Sequence, residues 1–156
     1  MKYLLILMFF FVQIANAKIK VIDGDSLKID DKEIRLIGID SPEYFQLCKD
    51  KDNQDYECGY QAYQYLKLLI DSGIKNGKKL KCRKKDTDKY HRELSECFIG
   101  KKNLNRAMVK SGNAISYWSE KYKKLENKAR KNKKGIWQGR FMRPELYRIL
   151  EKYKKE

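Results

Sequence analysis

The sequence predicts an α+β fold: a closed five-stranded β-barrel with three helices, followed by a C-terminal helical extension. Three observations predict it. Short runs alternate apolar with polar residues on both sides of a helical stretch. Turn-forming clusters separate those runs at close intervals. The longest stretch at helical spacing falls between the third and fourth runs. Five short strands with a helix inserted there match a Greek-key barrel of the OB type. The pattern alone leaves other small α+β folds open.

The first three strands come from residues 18–40. Ile19 and Val21, Leu27 and Ile29, then Ile34 and Leu36 alternate with polar neighbours. Asp23-Gly24-Asp25 and Asp30-Asp31-Lys32 supply the turns. Ile34, Leu36, Ile37 and Ile39 place apolar residues on both faces of the third strand, which predicts that it is covered on both sides. Residues 44–57 are polar and irregular and read as a long surface loop. From Gly59 the period changes: Ala62, Tyr63, Leu66, Leu69 and Ile70 recur at helical spacing, and Ser72-Gly73 is the expected end.

Two further strands are expected over residues 79–82 and 93–99, joined by a basic loop over 83–92. Asn103 is placed to cap a second helix with Leu104, Ala107 and Met108 inward and Ser111-Gly112 closing it. Ser119 is placed to cap a third, with Tyr122, Leu125 and Ala129 as its apolar stripe and Gly135 as its stop. Ile136-Trp137 offers a large anchor for the core. Pro144 opens a last amphipathic stretch through Leu146, Ile149, Leu150 and Tyr153.

Residues 1–17 stand apart. Met1-Lys2 is a basic start, Tyr3 to Ile14 is apolar except for Gln13, and Ala15-Asn16-Ala17 has the small-x-small pattern of a leader-peptidase site. The apolar run is shorter than the roughly 20 residues of a bilayer span. The expectation is a signal peptide over 1–17 cleaved after Ala17, with a secreted or periplasmic monomer that keeps no stable membrane insertion. An uncleaved anchor is the alternative. The remaining chain divides into one domain over 18–138 and a basic C-terminal helical extension over 139–156.

Charge narrows the partners. The formal net charge of +15 attracts polyanions such as nucleic acid, anionic lipid or cell-wall polymer, without choosing among them. The distribution says more. Eleven of the 21 Asp and Glu residues lie between Asp23 and Glu57, inside an otherwise basic chain. Such a cluster suggests a cation site facing an anionic substrate; the plain alternative is acidic turns between basic strands. The four cysteines, Cys48, Cys58, Cys82 and Cys97, are even in number and lack the spacing of a zinc site. Three pairings are possible. Cys48–Cys58, closing one loop, and Cys82–Cys97, joining two expected neighbour strands, is the favoured one.

Several short motifs then fall in a fixed order. Val21-Ile22-Asp23-Gly24-Asp25-Ser26 is followed by Ile34-Arg35-Leu36-Ile37-Gly38-Ile39-Asp40-Ser41-Pro42-Glu43. Next come Gly59 with Gln61-Ala62, then Asp88-Lys89-Tyr90-His91-Arg92, and finally Leu125-Glu126, Ala129 and Gly135-Ile136-Trp137. This series, from about Lys18 to Trp137, resembles the thermonuclease (staphylococcal nuclease-like) family in order and spacing. The resemblance implies an OB-fold endonuclease that hydrolyses DNA and RNA at the P–O5′ bond and leaves 3′-phosphate ends. It implies Ca2+ as cofactor, with Asp25, Asp40 and the main-chain carbonyl of Ser41 as ligands. It implies Glu43 as the residue that orients or deprotonates water, Arg35 and Arg92 as the pair on the scissile phosphate, and Lys89 and Tyr90 as flanking nucleotide contacts. Two departures are Ser41, where Thr or Ala is commoner, and Glu93 directly after Arg92.

The chemistry is coherent on its own terms. Attack on a phosphodiester builds a second negative charge, which a metal and two guanidinium groups stabilise. Arginine offers a planar fork for two phosphate oxygens and keeps its proton. Calcium takes oxygen ligands in a loose shell. Plainer readings stand beside these. Asp23 is a turn former or a neighbour of the ligands. Arg35 could pair with a structural carboxylate, Arg92 could be a solvated loop residue, and His91 reads as exposed. Tyr117 and Trp118 could stack on a base or pack in the core. The rival function is a non-catalytic OB-fold module that binds nucleic acid or another polyanion, for which carboxylates in the cleft bring no gain.

Overall fold

The computed structural model describes residues 17–154, so the expected leader lies outside the described residues except for Ala17. Strand β1 (Ile19–Val21) pairs antiparallel with β2 (Ser26–Ile29), and β2 pairs antiparallel with β3 (Lys32–Leu36). After the turn at Ile37-Gly38 come β4 (Ile39–Asp40) and a two-stranded hairpin, β5 (Cys48–Lys49) with β6 (Asp55–Tyr56). Helix α1 (Cys58–Lys75) leads to β7 (Leu80–Thr87), β8 (Glu93–Ile99) and β9 (Lys102–Asn103). Helix α2 (Leu104–Ser111), β10 (Ile115–Ser116), a 3-10 turn, α3 (Lys123–Lys131), a second 3-10 turn and α4 (Pro144–Tyr153) complete the chain.

The main sheet runs β1-β2-β3-β8-β7, with β9 added to β8, and β3 lies parallel to β8. No ladder among the described residues joins β7 to β1, so the hydrogen-bonded sheet is an open path. A separate pair, β4 with β10, sits beside it. Three helices before residue 139 and one after it follow the expected layout.

Apolar residues at alternating strand positions and on the helix stripes meet in one core. Leu27, Ile34, Leu36, Ile99, Ala62, Leu66, Ile70, Leu104 and Met108 all lie in it, nearly free of solvent contact. Burying such side chains stabilises by about 1.5–3 kcal/mol each. A second cluster gathers Cys48, Cys58, Ile115 and Ile136 with Trp137 and Phe141. Asn105, fully buried, joins the layers: its Oδ1 accepts from Cys97 N at 3.0 Å and its Nδ2 donates to Ile37 O at 2.9 Å and Ser95 O at 3.1 Å. A buried amide is tolerated because these bonds satisfy it.

Both disulfides form, Cys48–Cys58 and Cys82–Cys97, the latter between residues directly opposite in the β7–β8 ladder. Spanning 10 and 15 residues, each restricts the unfolded chain by about 2–4 kcal/mol.

Several sequence expectations change. The third strand is not continuous to Ile39: it breaks at Ile37-Gly38, and Ile39-Asp40 pairs instead with Ile115-Ser116. Its second face is not uniformly covered, since Arg35 lines a cleft there. Helix α1 continues past Gly73 to Lys75, because Gly73 is a contact residue and not a stop: a Cβ there would meet Ile99 Cγ1 at 2.0 Å. The supposed surface loop after Glu43 folds inward at Gln46 and Cys48. Much of the expected basic loop is strand, with β7 reaching Thr87 across an irregularity between Lys84 and Asp86. Ser119 caps the 3-10 turn Glu120–Tyr122, and α3 begins at Lys123.

Candidate active site

Two loops bring the acidic residues together. The Asp23-Gly24-Asp25 turn links β1 to β2, and residues 39–46 leave the sheet between β4 and the hairpin. They are tied by Asp25 Oδ2, which accepts the main-chain N–H of Ser41 at 2.7 Å. Arg35, projecting from β3, bridges both: Nη1 donates to Asp25 Oδ1 at 2.7 Å and Nη2 to Asp40 Oδ1 at 2.6 Å. Asp40 has no exposed side-chain surface and Asp25 only 2 %. Buried charges of this kind persist only when paired. Burial works against the charge on Arg35, yet Asp25 and Asp40 outweigh it and hold the guanidinium charged above its usual range.

Glu43 is set at the rim by its surroundings. Its N–H donates to Gln46 Oε1 at 3.2 Å, and its carbonyl accepts from Gln46 N at 2.8 Å. Gln46 in turn donates to Met142 O at 2.7 Å. Next to it, Tyr44 meets Tyr60 and Tyr63 of α1 edge-on, at 5.6 and 5.1 Å. Gly59 must be small: a Cβ there would lie 1.7 Å from Glu43 O.

A second guanidinium stands at these carboxylates, and the sequence did not announce it. Arg148 of α4 donates through Nη1 to Glu43 Oε1 at 2.7 Å and to Asp40 Oδ1 at 3.0 Å, and through Nη2 to Asp40 Oδ2 at 3.1 Å. Burial opposes its charge, but the bonds to Asp40 and Glu43 prevail and raise it. Arg92, the other guanidinium expected to grip the phosphate, is paired with Asp88. Its Nε and Nη2 both reach Asp88 Oδ2 at 2.8 Å, and its N–H donates to Asp88 Oδ1 at 3.0 Å. The five-residue turn from Asp88 to Arg92 is short enough for this closure, and it fixes Arg92 before any substrate arrives. Lys89 and Tyr90 lie in that same exposed turn, outside the cleft that contains Arg35. His91 is exposed, as expected.

The carboxylates are only partly neutralised. Burial, then the charge of Asp25, pushes the Asp23 carboxyl up to about 8, with Glu43 adding to the effect. Asp23 Oδ1 accepts the N–H of Asp25 at 2.9 Å. Burial also raises the Asp40 carboxyl, in spite of the bonds from Arg148. Asp25, Asp40 and Glu43 are three carboxyl groups against two guanidinium groups, and their oxygen donors suit a hard divalent cation in kind. Asp25, Asp40 and the Ser41 carbonyl therefore fit such an ion chemically. As they stand, no three Asp, Glu, His or Cys side chains among the described residues form a ready cage. Both oxygens of Asp40 accept from Arg148.

Two clefts adjoin the group. One cleft, about 550 Å³, is lined by Arg35, Ile39, Lys85, Tyr117, Trp118 and Lys121. Trp118 is 88 % exposed at its edge, so it does not pack in the core. The other, about 580 Å³, is lined by Asp23, Glu43, Tyr44, Phe45, Tyr147 and Arg148.

Comparison with known proteins agrees with the residues. Residues 33–139 match the family described as Staphylococcal nuclease homologue. That stretch includes Arg35, Asp40, Glu43 and Arg92 and ends before α4. The chain is 31% identical over 121 residues to the succinoglycan biosynthesis protein ExoI of Rhizobium meliloti (strain 1021), covering 75% of this chain and 61% of that one. It is 34% identical over 118 residues to the probable endonuclease LCL3 of Komagataella phaffii, covering 67% and 48%. It is 30% identical over 130 residues to a thermonuclease of Staphylococcus hyicus, covering 76% and 73%. The chain thus spans about three-fifths of the first of these proteins and half of the second. With residues 33–139, most of its length, matched by the family model, the chain belongs to the staphylococcal nuclease homologue family.

Proposed function

We propose that this protein is a secreted, calcium-dependent endonuclease that hydrolyses the P–O5′ bond of DNA and RNA and leaves 3′-phosphate ends. The observation that carries the reading is the Arg35 guanidinium bonded to Asp25 and Asp40, with Glu43 joined to the same group through Arg148. A polyanion binder gains nothing from buried carboxylates in its cleft, whereas a phosphodiesterase needs both signs of charge.

In this reading Asp25, Asp40 and the Ser41 carbonyl hold the calcium ion. When bound, the ion supplies positive charge for the phosphate and acidifies water. Glu43 takes the proton of the attacking water, the oxygen of which bonds to phosphorus, and O5′ leaves and acquires a proton. Arg35 neutralises charge on the phosphoryl oxygens. Arg92 assists from its turn, since Asp88 engages Nε and Nη2 and leaves Nη1. Lys89 and Tyr90 contact flanking nucleotides. Two clefts adjoin the arginine–carboxylate group, one at Arg35 and one at Glu43 and Arg148, and their room for chain beyond the cut bond favours cutting within a strand.

The main sheet is proposed to be the five-stranded OB barrel, its seam covered by α1, with residues 18–138 as the nuclease domain and 139–156 as an extension. Residues 1–17 act as a cleaved signal peptide, and the mature protein is a monomer. The test is direct. The purified protein should degrade DNA and RNA with calcium and stop when a chelator is added. Full activity under chelation would remove the metal role, and salt-sensitive binding without cleavage would favour the non-catalytic module.

A further inference from the structure

We propose that Arg148 is an internal counter-cation that holds Asp40 and Glu43 until a divalent ion displaces it, so that α4 closes the cation site of the ion-free protein. This regulation rests on the calcium-dependent reading above. Its acting residue, Arg148, lies beyond the stretch matched to the family, which ends at 139.

The geometry points to competition. Both oxygens of Asp40 accept from Arg148, at 3.0 and 3.1 Å, and Glu43 Oε1 accepts from the same guanidinium at 2.7 Å. Asp40 Oδ1 also carries Arg35 at 2.6 Å. A divalent ion on Asp40 would sit within a few ångströms of the Arg148 charge, where like charges repel strongly in a poorly solvated pocket. One cation must leave. Arg35 is rooted in the sheet and bonds Asp25 as well. Arg148 is on a ten-residue helix whose one buried residue is Pro144.

Helix α4 is therefore the element that can lift. Leu146, Ile149 and Leu150 are about half exposed, and Tyr153 is more so. Tyr117 Oη also ties it to the body, donating to Glu145 Oε1 at 3.1 Å. Elements with few buried contacts open at low cost. An ion that binds only the open arrangement sees its affinity reduced by the open fraction. The held state also keeps an exported nuclease uncharged with metal wherever the ion is scarce.

The test is calorimetric titration of calcium chloride, without nucleic acid, into the wild-type protein, Arg148→Ala and Glu145→Ala. Amide exchange over residues 145–153 is followed in the wild type with and without calcium. Arg148→Ala should bind calcium about tenfold tighter or more, and Glu145→Ala about threefold tighter, because both raise the open fraction. Exchange in α4 should quicken with calcium. Glu145→Ala is the discriminating variant: it removes a negative charge, so simple electrostatics would weaken calcium binding, whereas a loosened latch strengthens it. Weaker or unchanged affinity in Glu145→Ala, or α4 exchange indifferent to saturating calcium, overturns the latch and leaves the nuclease reading standing. Calcium binding to none of the three proteins overturns the latch and the metal-dependent reading together.

Discussion

Asp25 Oδ2 and the main-chain amide of Ser41 lie 2.7 Å apart although 16 residues separate them. That bond joins the turn after β1 to the loop after β4, so the carboxylates are assembled by the fold and not by a ligand. The same carboxylate pairs with Arg35, and Asp25 thus has a structural task separable from its chemical one.

The first prediction uses that separation. Asp25→Ala leaves the buried Ser41 N–H unsatisfied and removes one partner of Arg35, and should cost about 3–5 kcal/mol in denaturant unfolding. Asp25→Asn keeps an acceptor for Ser41 and should cost less than half as much. Both should lose cleavage. If Asp25→Asn retained full cleavage, its carboxylate would have no part in the reaction.

Gly59 sets the second. A methyl group there would lie 1.7 Å from the Glu43 carbonyl oxygen, so Gly59→Ala must push the loop that carries Glu43. Overpacking of this kind costs about 1–3 kcal/mol. Because the displaced residue is the expected base, kcat should fall at temperatures where the variant remains folded, with KM little changed. A variant as active as wild type would show that Glu43 need not hold its position.

These positions also show what could be read in advance. Asp25, Asp40 and Glu43 were legible because turn residues and strand alternation fix where a short loop emerges from a sheet, and their spacing is rigid. Cys82 and Cys97 were legible as neighbours because their strands were. The hairpin Cys48-Lys49 with Asp55-Tyr56 was not, since two-residue strands carry no alternation to detect. Gly73 misled because a glycine needed for contact with Ile99 looks the same, in sequence, as one that ends a helix. Arg148 was hidden for a different reason. It stands 105 residues from Glu43, in a basic amphipathic stretch where a solvated arginine is the ordinary expectation. Only the packing of α4 makes it part of the site.

The third prediction concerns the wall of the cleft lined by Tyr117 and Trp118. Lys121 bonds Glu96, and Tyr122 Oη donates to Glu96 Oε1 at 2.8 Å. The Lys121 bond, against the effect of burial, holds the Glu96 carboxyl below its ordinary 4.5. A carboxyl lowered in the folded state stabilises fully above its unfolded value, and that stability is lost as pH falls through the folded one. The thermal midpoint of wild type should therefore drop more steeply below 4.5 than that of Glu96→Gln, which should be the less stable protein near neutrality by about 1 kcal/mol. Parallel curves would mean the Glu96 contacts add no net stability.

The last prediction turns on Asp88 and Arg92. Asp88 accepts from Tyr90 N at 2.9 Å, from Arg92 N at 3.0 Å and from the Arg92 guanidinium, and these bonds overcome burial to lower its carboxyl. These bonds fix the Arg92 side chain against its own turn. If Arg92 serves the phosphate, Arg92→Ala should slow cleavage by roughly 100-fold or more, the scale of a lost charge-stabilising group. Asp88→Ala should also slow it, by releasing the guanidinium from its fixed direction. Adding Asp88→Ala to Arg92→Ala should then do little more, because the first change acts through a side chain the second has removed. Fully multiplicative losses would mean that Asp88 and Arg92 act separately, and an unaffected Arg92→Ala would shift the burden of phosphate binding onto Arg35.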